Sequence, residues 1–440
     1  MKEFLEPKRV AVIGASKHEG KVGNSIFKNL LRNKQIELFP VNPNDKEVLG
    51  KKSFSSILEI EKDIDLAVIV IKAEFVPEAL EQCGKKKVSH VIIISAGFSE
   101  AGDFALEDRV KKIAEKYDIN LLGPNVLGTI NPYYNFNTTF FDGMPPKGGI
   151  ALISQSGAIG VSVLDMFIEK EIGMSGFVSL GDMAKEDFSD FIDYYGKDKN
   201  TKVIMLYIEG LKAGRGSKFI ETCKRVSKIK PIVAIKAGKS KEGEKAAKSH
   251  TAALATEYEI YRGILEQAGI IEAESLKEMI NISETLTETN YKFGKKACIV
   301  TNAGGAGVLA TDALVRNEVE IASLSEKTKK EISSILPIWS KNNPVDIIGD
   351  ADAERYDKVL KILERNNEFD FFIVILTPQS MSQPLETAEV ILKMKKPVLA
   401  CFIGGKKIEE AVKFLKEKKI PVFNDIDELA GVAGKIARMN

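Results

Sequence analysis

Short apolar runs rich in β-branched residues recur along the chain, each followed by a turn of small or polar residues and then by a helical pattern. The runs cover residues 10–13, 66–71, 88–94, 150–153, 203–208, 232–235, 297–300, 371–376 and 398–402. Strands that are apolar throughout are buried on both faces, as in parallel sheets covered by helices. The pattern therefore predicts an α/β protein whose ligands bind at the carboxyl ends of its strands.

Two polar or Pro/Gly-rich stretches, residues 131–148 and 286–296, interrupt this alternation. They predict three domains, at 1–130, 145–288 and 294–440, a number that suits a chain of 440 residues. Segments 149–165 and 297–312 both read as a strand, a small-residue turn and a helix. The last two domains are therefore expected to share a flavodoxin-like fold, although parallel α/β units also resemble one another in general.

Composition narrows the possible partners. Lys and Arg number 63 against 62 Asp and Glu, so the net charge of +1 favours neither nucleic acid nor a membrane surface as a partner. We expect no membrane span, because no run of about 18 apolar residues occurs. Four well-separated cysteines without a CxxC motif argue against a zinc site and fit a cytoplasmic location. Cys298 and Cys401, which lie inside apolar runs, are expected to be buried thiols.

The first glycine-rich turn, Gly14-Ala15-Ser16 with Gly20 and Gly23 downstream, joins a strand to a helix. Glycines let a backbone approach a phosphate, and a helix start offers unpaired N–H groups, so a nucleotide-containing ligand is expected. The alternative is a merely tight turn. The spacing is not GxGxxG, and the later turn of residues 41–44 has no acidic residue for a ribose, which argues against NAD.

Further turns contribute to the same predicted rim. Ser95-Ala96-Gly97 and Asn125 each follow an apolar segment, and each is a weak signal alone. Ser154-Gln155-Ser156-Gly157 follows another strand and opens a helix. Its hydroxyls and helix N–H groups predict a phosphate site, with an ordinary serine N-cap as the alternative.

His250 is the sharpest candidate for chemistry. It lies in a small-residue segment, downstream of a lysine-rich run from Lys236 to Lys248 that we expect to be a flexible basic loop. Neutral imidazole is a good nucleophile near pH 7 and can carry a phosphoryl group. The alternative is a loop histidine bonded to a backbone carbonyl. Glu209, at the end of a strand, is the expected carboxylate partner of His250, with a helix cap or a salt bridge to Arg215 as its alternative role.

Together the motifs resemble the NDP-forming acyl-CoA synthetases, a family related to succinyl-CoA synthetase. The matching pieces are VAVIGAS (10–16), VNPN (41–44), SAGF (95–98), GPN (123–125), SQSGAIG (154–160), YIEG (207–210), IKAGKSKEGEKAAKSHTAALA (235–255), TNAGGAGVLATDA (301–313) and NPVDIIG (343–349). The resemblance implies a Rossmann-like CoA-binding domain followed by two flavodoxin-like domains of the succinyl-CoA ligase type. Asp182 stands where this family commonly has asparagine.

The same resemblance implies roles for individual residues. His250 would be the phosphorylated histidine and Glu209 the carboxylate that steadies it, while residues Ser154, Gln155, Ser156 and Gly157 would hold phosphate. CoA would be bound by Gly14, Ala15, Ser16, Lys21, Gly23, Val41, Asn42, Pro43, Ser95, Ala96, Gly97 and Asn125.

The implied reaction is the conversion of an acyl-CoA, ADP and phosphate to the acid, CoA and ATP, through an acyl phosphate and a phosphohistidine. An ATP-grasp domain has no counterpart in the sequence, so ADP or ATP with Mg²⁺ is expected on a separate β subunit, in an α2β2 assembly. The substrates would be a small carboxylic acid and its CoA thioester. The alternative function is a CoA-sensing regulatory module that has lost catalysis.

Overall fold

The computed structural model describes residues 1–250, 258–289 and 293–439, except for the side chains of residues 246–250. The chain forms two compact units, Met1–Met279 and Ile280–Asn440. The first unit holds two α/β sheets with their helices, and the second holds one. Among the helices of the described residues, none combines the length and hydropathy that a bilayer crossing requires.

The first sheet is parallel, in the order β2-β1-β5-β6-β7. After β1 the chain forms β2 on one side of β1, and it then crosses back to form β5 on the other side. The carboxyl ends of β1 and β5 therefore flank a crevice of the kind that binds ligands. The elements are β1 (Arg9–Ile13), α1 (Val22–Leu31), β2 (Glu37–Val41), the hairpin strands β3 (Glu47–Val48) and β4 (Lys51–Lys52), β5 (Leu66–Ile69), α2 (Val76–Lys85), β6 (His90–Ile93), α3 (Phe104–Lys116) and β7 (Asn120–Leu122).

The second sheet has the order β14-β13-β12-β10-β11-β8-β9, and β8 and β9 are its antiparallel edge. Its crevice lies between β10 and β12 by the same rule. The elements are β8 (Thr129–Asn131), β9 (Phe136–Asn137), β10 (Lys147–Ser154), α4 (Gly157–Glu169), β11 (Met174–Ser179), α5 (Phe188–Lys197), β12 (Val203–Ile208), α6 (Gly216–Ser227), β13 (Ile232–Lys236), α7 (Lys241–His250), α8 (Tyr258–Gln267), β14 (Ile271–Glu272) and α9 (Leu276–Thr289).

The third sheet lies in the second unit and is parallel, in the order β16-β15-β18-β19-β20, with β17 also paired to β15. Its strands and helices are β15 (Lys296–Thr301), α10 (Gly304–Arg316), β16 (Glu320–Ile321), α11 (Glu326–Ile335), β17 (Val345–Asp346), α12 (Ala353–Asn366), β18 (Phe371–Leu376), α13 (Pro384–Leu392), β19 (Val398–Phe402), α14 (Glu409–Glu417), β20 (Val422–Phe423) and α15 (Ile426–Ala437).

Continuous burial of the long strands explains the fold. Every residue of β12, β13, β18 and β19 is buried apart from the half-buried Tyr207. The predicted parallel α/β architecture is confirmed. The four cysteines, Cys83, Cys223, Cys298 and Cys401, are all buried and reduced.

A loop after β11 joins the first two sheets. The N–H of Asp182 donates to the carbonyl of Pro124 at 3.0 Å, and the N–H of Ala184 donates to the carbonyl of Gly123 at the same distance. Gly181 has a φ of +54°, and a Cβ at this position would lie 2.2 Å from the carbonyl oxygen of Pro124. The two sheets therefore meet through close backbone contact.

Candidate active site

A cavity of about 970 Å³ lies in the first unit where strand ends of the first sheet face strand ends of the second. Residues that follow β1, β5 and β6 form one wall, and residues that follow β10, β11 and β12 form the other. Of the residues that the sequence predicts for the site, the cavity brings together Gly14, Ser16, Lys21, Gly23, Ser95, Ala96, Asn125, Gln155, Ser156, Gly157 and Glu209.

The turn between β1 and α1 packs backbone against backbone. Gly14 has a φ of +94°, and a Cβ there would lie 2.3 Å from the carbonyl oxygen of Val70. A Cβ on Gly23, near the start of α1, would lie 2.0 Å from the carbonyl oxygen of Gly14. Only glycine fits both places without displacing the backbone. The turn therefore keeps the start of α1 close to the cavity, where main-chain N–H groups can meet a phosphate.

Four residues at or behind this turn that the sequence predicts to bind CoA do not line the cavity wall: Ala15, Val41, Asn42 and Pro43. Ala15 is fully buried, and its carbonyl accepts a hydrogen bond of 2.8 Å from the side-chain amide of Asn42. The carbonyl of Val41 accepts from the N–H of Gly14 at 2.9 Å. Pro43 is exposed in the loop that follows β2. The VNPN segment thus supports the glycine turn from the neighbouring strand.

The rim turns after β6 and β7 are bonded to each other. The Ser95 hydroxyl donates to the carbonyl of Ile71, and the Ser95 carbonyl accepts from the N–H of Asn125 at 2.9 Å. Asn125 is left-handed, with a φ of +60°. Gly97, which does not line the cavity, has a φ of +108° and donates its N–H to the Glu100 carboxylate.

Asp182 joins this rim from the second sheet, as a cavity residue that the sequence did not predict. Its Oδ1 accepts a weak hydrogen bond of 3.4 Å from Asn125 Nδ2, while its Oδ2 is buried and receives no donor. Burial, reinforced by the carboxylates of Glu100 and Glu107, raises the pKa of Asp182 to about 8. Despite its own burial, Glu100 has a lowered pKa because Asp182 and the main-chain N–H groups of Gly97, Phe98 and Glu100 bond to it. Asp182 is therefore a neutral acid at pH 7.

The turn between β10 and α4 is a serine-capped helix start. The Ser156 hydroxyl accepts from the N–H of Ile159 at 3.4 Å, so this side chain takes the N-cap role that was the alternative to phosphate binding. Ser154 is fully buried behind the turn, and its hydroxyl donates to the Ser156 carbonyl at 2.7 Å. The main chain at Gly157, the first residue of α4, still faces the cavity.

Glu209 lies at the end of β12, and its peptide groups are held from both neighbouring strands. Gln155 Oε1 accepts from the N–H groups of Glu209 and Gly210 at 2.9 and 3.0 Å. Lys236 Nζ donates to the Glu209 carbonyl at 2.9 Å. Arg215, the salt-bridge partner considered for Glu209 from the sequence, forms an ion pair of 2.8 Å with Asp187 Oδ2. Glu209 therefore reaches the cavity from a fixed backbone.

The segment after β13 differs from the flexible basic loop that the sequence predicts. Lys236 is 5% exposed, the last residue of β13, and its pKa is lowered by burial. Lys239 forms ion pairs of 2.7 Å with Glu272 and Glu274. Residues Lys241–His250 form helix α7. The side chain of His250 lies outside the described part of the chain, so its predicted role stays a prediction.

Asp182 and Lys236 are the site residues whose surroundings the sequence did not indicate. The burial of Lys236 could have been suspected from the sequence, because this lysine directly follows the apolar run of PIVAIK. Asp182 had a weaker sign, the departure from asparagine noted above. The contacts of both residues with neighbouring segments come from tertiary structure.

Three family models match consecutive parts of the chain. A CoA binding domain matches residues 8–132, a succinyl-CoA ligase like flavodoxin domain matches 147–286, and a ligase-CoA domain matches 297–438. This order is the one that the sequence motifs predict.

Curated relatives align with almost the whole chain. The ADP-forming acetate–CoA ligase I of Archaeoglobus fulgidus is 44% identical over 97% of this chain, which spans 62% of that relative's length. The subunit alpha of ADP-forming acetate–CoA ligase II from Pyrococcus furiosus is 40% identical over 98% of this chain and 96% of its own length. The chain therefore spans under two thirds of one relative and almost all of the other.

Solved structures agree with these matches. A dinucleotide-forming acetyl-coenzyme A synthetase 1 of Ca. Korarchaeum cryptofilum, solved with phosphate and ADP, superposes with a TM-score of 0.93 at 32% identity, covering 99% of this chain and 95% of that one. A protein of Pyrococcus horikoshii OT3 gives a TM-score of 0.85 at 36% identity, with 100% and 98% covered.

Proposed function

The chain belongs to the family of ADP-forming acetate–CoA ligases, and from that premise we propose that it is the α-type subunit of an acid–thiol ligase. The reaction converts an acyl-CoA, preferably acetyl-CoA, with ADP and phosphate to the acid, CoA and ATP. The observation that carries the proposal is the cavity between the two sheets of the first unit, where the glycine turn after β1 faces the helix start after β10.

CoA is proposed to bind along the wall of the first sheet. The glycine turn at Gly14 and Gly23 offers helix N–H groups to its phosphates, and Lys21 adds a positive charge at the same wall. The thioester end then reaches the second wall near Ser156 and Glu209. The buried residues Ala15 and Val41 and the half-buried Asn42 act by holding the turn.

The chemistry is proposed to start with phosphate at the beginning of α4. A phosphate oxygen attacks the thioester carbonyl, the carbon–sulfur bond breaks, and CoA leaves as a thiolate that takes a proton. The acyl phosphate then passes its phosphoryl group to a ring nitrogen of His250, which releases the carboxylate. Glu209 stabilises the positive charge of the modified imidazole.

Transfer of the phosphoryl group to ADP is proposed to take place on a separate ATP-grasp β subunit, which would also hold Mg²⁺. The relative from Pyrococcus furiosus that this chain spans almost end to end is named a subunit alpha, which supports a partner chain. An α2β2 assembly is the arrangement we propose, with the three domains divided near 1–130, 145–288 and 294–440. CoA, ADP and phosphate are cytoplasmic metabolites, so we place the enzyme in the cytoplasm.

The test is mass spectrometry of the chain in complex with its native partner after incubation with acetyl-CoA and phosphate. We expect an acid-labile gain of one phosphate on the peptide that carries His250. The variant His250→Asn should not gain the phosphate. The control variant His18→Asn, at an exposed histidine, should still gain it. A complex that binds CoA but gains phosphate with none of a panel of acyl-CoA thioesters would instead support the regulatory alternative.

A further inference from the structure

Glu209 occupies the middle of three neighbouring strand ends. Gln155 follows β10 on one side, and Lys236 ends β13 on the other, because β12 lies between β13 and β10 in the sheet. Glu209 lines the cavity, as does Gln155, whereas Lys236 is not part of the wall. Lys236 is therefore placed to act on the site through its neighbours.

The peptide groups around Glu209 are bonded on both sides. Gln155 Oε1 accepts from the N–H groups of Glu209 and Gly210, and Lys236 Nζ donates to the carbonyl of Glu209. The ammonium group of Lys236 also bonds to the carbonyl of Ala237 and lies 4.5 Å from the ring centroid of Tyr261. Tyr261 in turn accepts from the N–H of Leu211 at 2.8 Å. The run from Glu209 to Leu211 is thus fixed by three buried side chains.

A buried lysine is a costly way to fill this space. Lysine is almost never fully buried without a partner, and removing an ammonium group from water costs several kcal/mol. A methionine of similar length would pack at lower cost if only volume mattered. The ammonium group of Lys236 is instead directed at the main-chain carbonyls of Glu209 and Ala237.

We infer that Lys236 and Gln155 are positioning residues for the reaction, which hold the Glu209 main chain so that its carboxylate meets the phosphoryl-carrying group. This inference rests on the proposed function of Glu209. The positioning role predicts an effect on the chemical step rather than on CoA binding, because a misplacement of about 1 Å can cost on the order of 100-fold in rate.

The decisive experiment uses Lys236→Met in the complex with the partner subunit. We expect kcat for acetyl-CoA to fall about 10-fold to 100-fold, with KM for acetyl-CoA within about twofold of wild type because CoA contacts lie on other elements. Combined with Glu209→Gln, the substitution should lower kcat no further than Glu209→Gln alone, since it acts through that carboxylate.

Lys230→Met is the matched control. Lys230 also bonds main-chain carbonyls, those of Tyr195 and Asp198, but it precedes the other end of β13. This variant should keep the kcat of wild type. The inference is overturned if Lys236→Met leaves kcat unchanged, or if it lowers kcat by the same factor in the wild-type and Glu209→Gln backgrounds.

Hydrogen exchange measured by mass spectrometry tests, without any turnover, whether the Glu209 main chain is held in place. The amides of Glu209 and Gly210 should be protected in the wild-type complex, and Gln155→Leu should accelerate their exchange. Rapid exchange of both amides in the wild type would overturn the inference. A wild-type complex with slow exchange but no activity toward any acyl-CoA would refute the proposed function, while the conclusion that the Glu209 main chain is held in place would stand.

Discussion

Asp182 shows how one side chain couples the cavity to pH. Its carboxyl group lies between Asn125, which donates to it, and the carboxylates of Glu100 and Glu107, which disfavour its ionisation. Glu107 is itself paired with Lys212 at 3.0 Å. A proton on Asp182 is what allows two carboxyl groups to share this buried space.

The first prediction concerns Asp182→Asn. The pKa of Asp182 is raised from 3.8 to about 8 in the folded chain. Between these values the unfolded chain loses the proton that the folded chain keeps, so ionisation lowers wild-type stability as pH rises through this window. Asparagine cannot ionise and can still donate to Glu100. We expect its free energy of unfolding, relative to wild type, to rise by on the order of 4 kcal/mol between pH 5 and pH 9, since each unit of pKa difference is worth about 1.4 kcal/mol.

Urea denaturation at a series of pH values measures this difference. Asp63→Asn, at an exposed carboxylate, is the control for the loss of one negative charge. A difference between Asp182→Asn and wild type that does not vary from pH 5 to pH 9 would show that Asp182 ionises normally.

At the scale of single elements, the turn between β1 and α1 leads to the second prediction. Gly23→Ala would place a methyl group 2.0 Å from the Gly14 carbonyl oxygen, so the start of α1 must move away from the cavity. We expect a loss of about 1 to 3 kcal/mol of stability from the overpacking and a loss of at least about 10-fold in CoA affinity, measured by isothermal titration calorimetry.

Gly263→Ala separates this effect from a general response to alanine. Gly263 lies in α8, and a Cβ there meets no atom within 4 Å. This variant should bind CoA as wild type does and should be as stable or slightly more stable, because alanine favours helix. Wild-type affinity in Gly23→Ala would mean that CoA does not use the start of α1.

Elements with a strong local pattern were predictable from the sequence, whereas those defined by their neighbours were not. All nine apolar runs form strands, because each is buried on both faces. Strand β11, with the sequence MSGFVS, has two serines and a glycine and gives no continuous apolar run, although all six residues are buried. Edge strand β8 ends at Asn131 and edge strand β9 lies within the polar stretch 131–148, whose sequence gives no strand signal.

The residues of the site divide in the same way, into those with a local sequence signal and those defined by neighbouring strands. The turns at Gly14, Ser95 and Ser156 were found from small residues after strands, a local signal. The use of Gln155 as an acceptor for the Glu209 main chain depends on β10 and β12 being neighbours, which the sequence alone does not specify. The support that Asn42 gives to Ala15 likewise requires β2 to lie beside β1.

At the scale of the whole molecule, the two units have separate apolar cores. The core of the second unit includes Leu360 on α12, and the core that underlies the cavity includes Leu206 on β12. Every residue that lines the cavity belongs to Met1–Met279. Damage to the second core should therefore leave the cavity able to bind.

The third prediction compares Leu360→Ala with Leu206→Ala. Both side chains are fully buried, so each truncation should cost about 2 to 5 kcal/mol of stability. CoA affinity should stay within about twofold of wild type in Leu360→Ala and should fall in Leu206→Ala, because Leu206 shares its apolar core with Val10 and Ala15 of the proposed CoA-binding wall. Calorimetry of CoA binding below the unfolding temperature checks this. Equal loss in both variants would show that the cavity depends on the second unit.

The burial of all four cysteines has a practical consequence for assays. Burial raises the pKa of the Cys83 and Cys401 thiols to about 12 and that of Cys223 and Cys298 further still. Aromatic disulfide reagents react with thiolates that solvent can reach, so the folded protein should give them almost no signal. Liberated CoA carries an accessible thiol. Its release can therefore be followed continuously by colour change in the presence of the folded chain, and a slow rise in the protein-only blank would report unfolding.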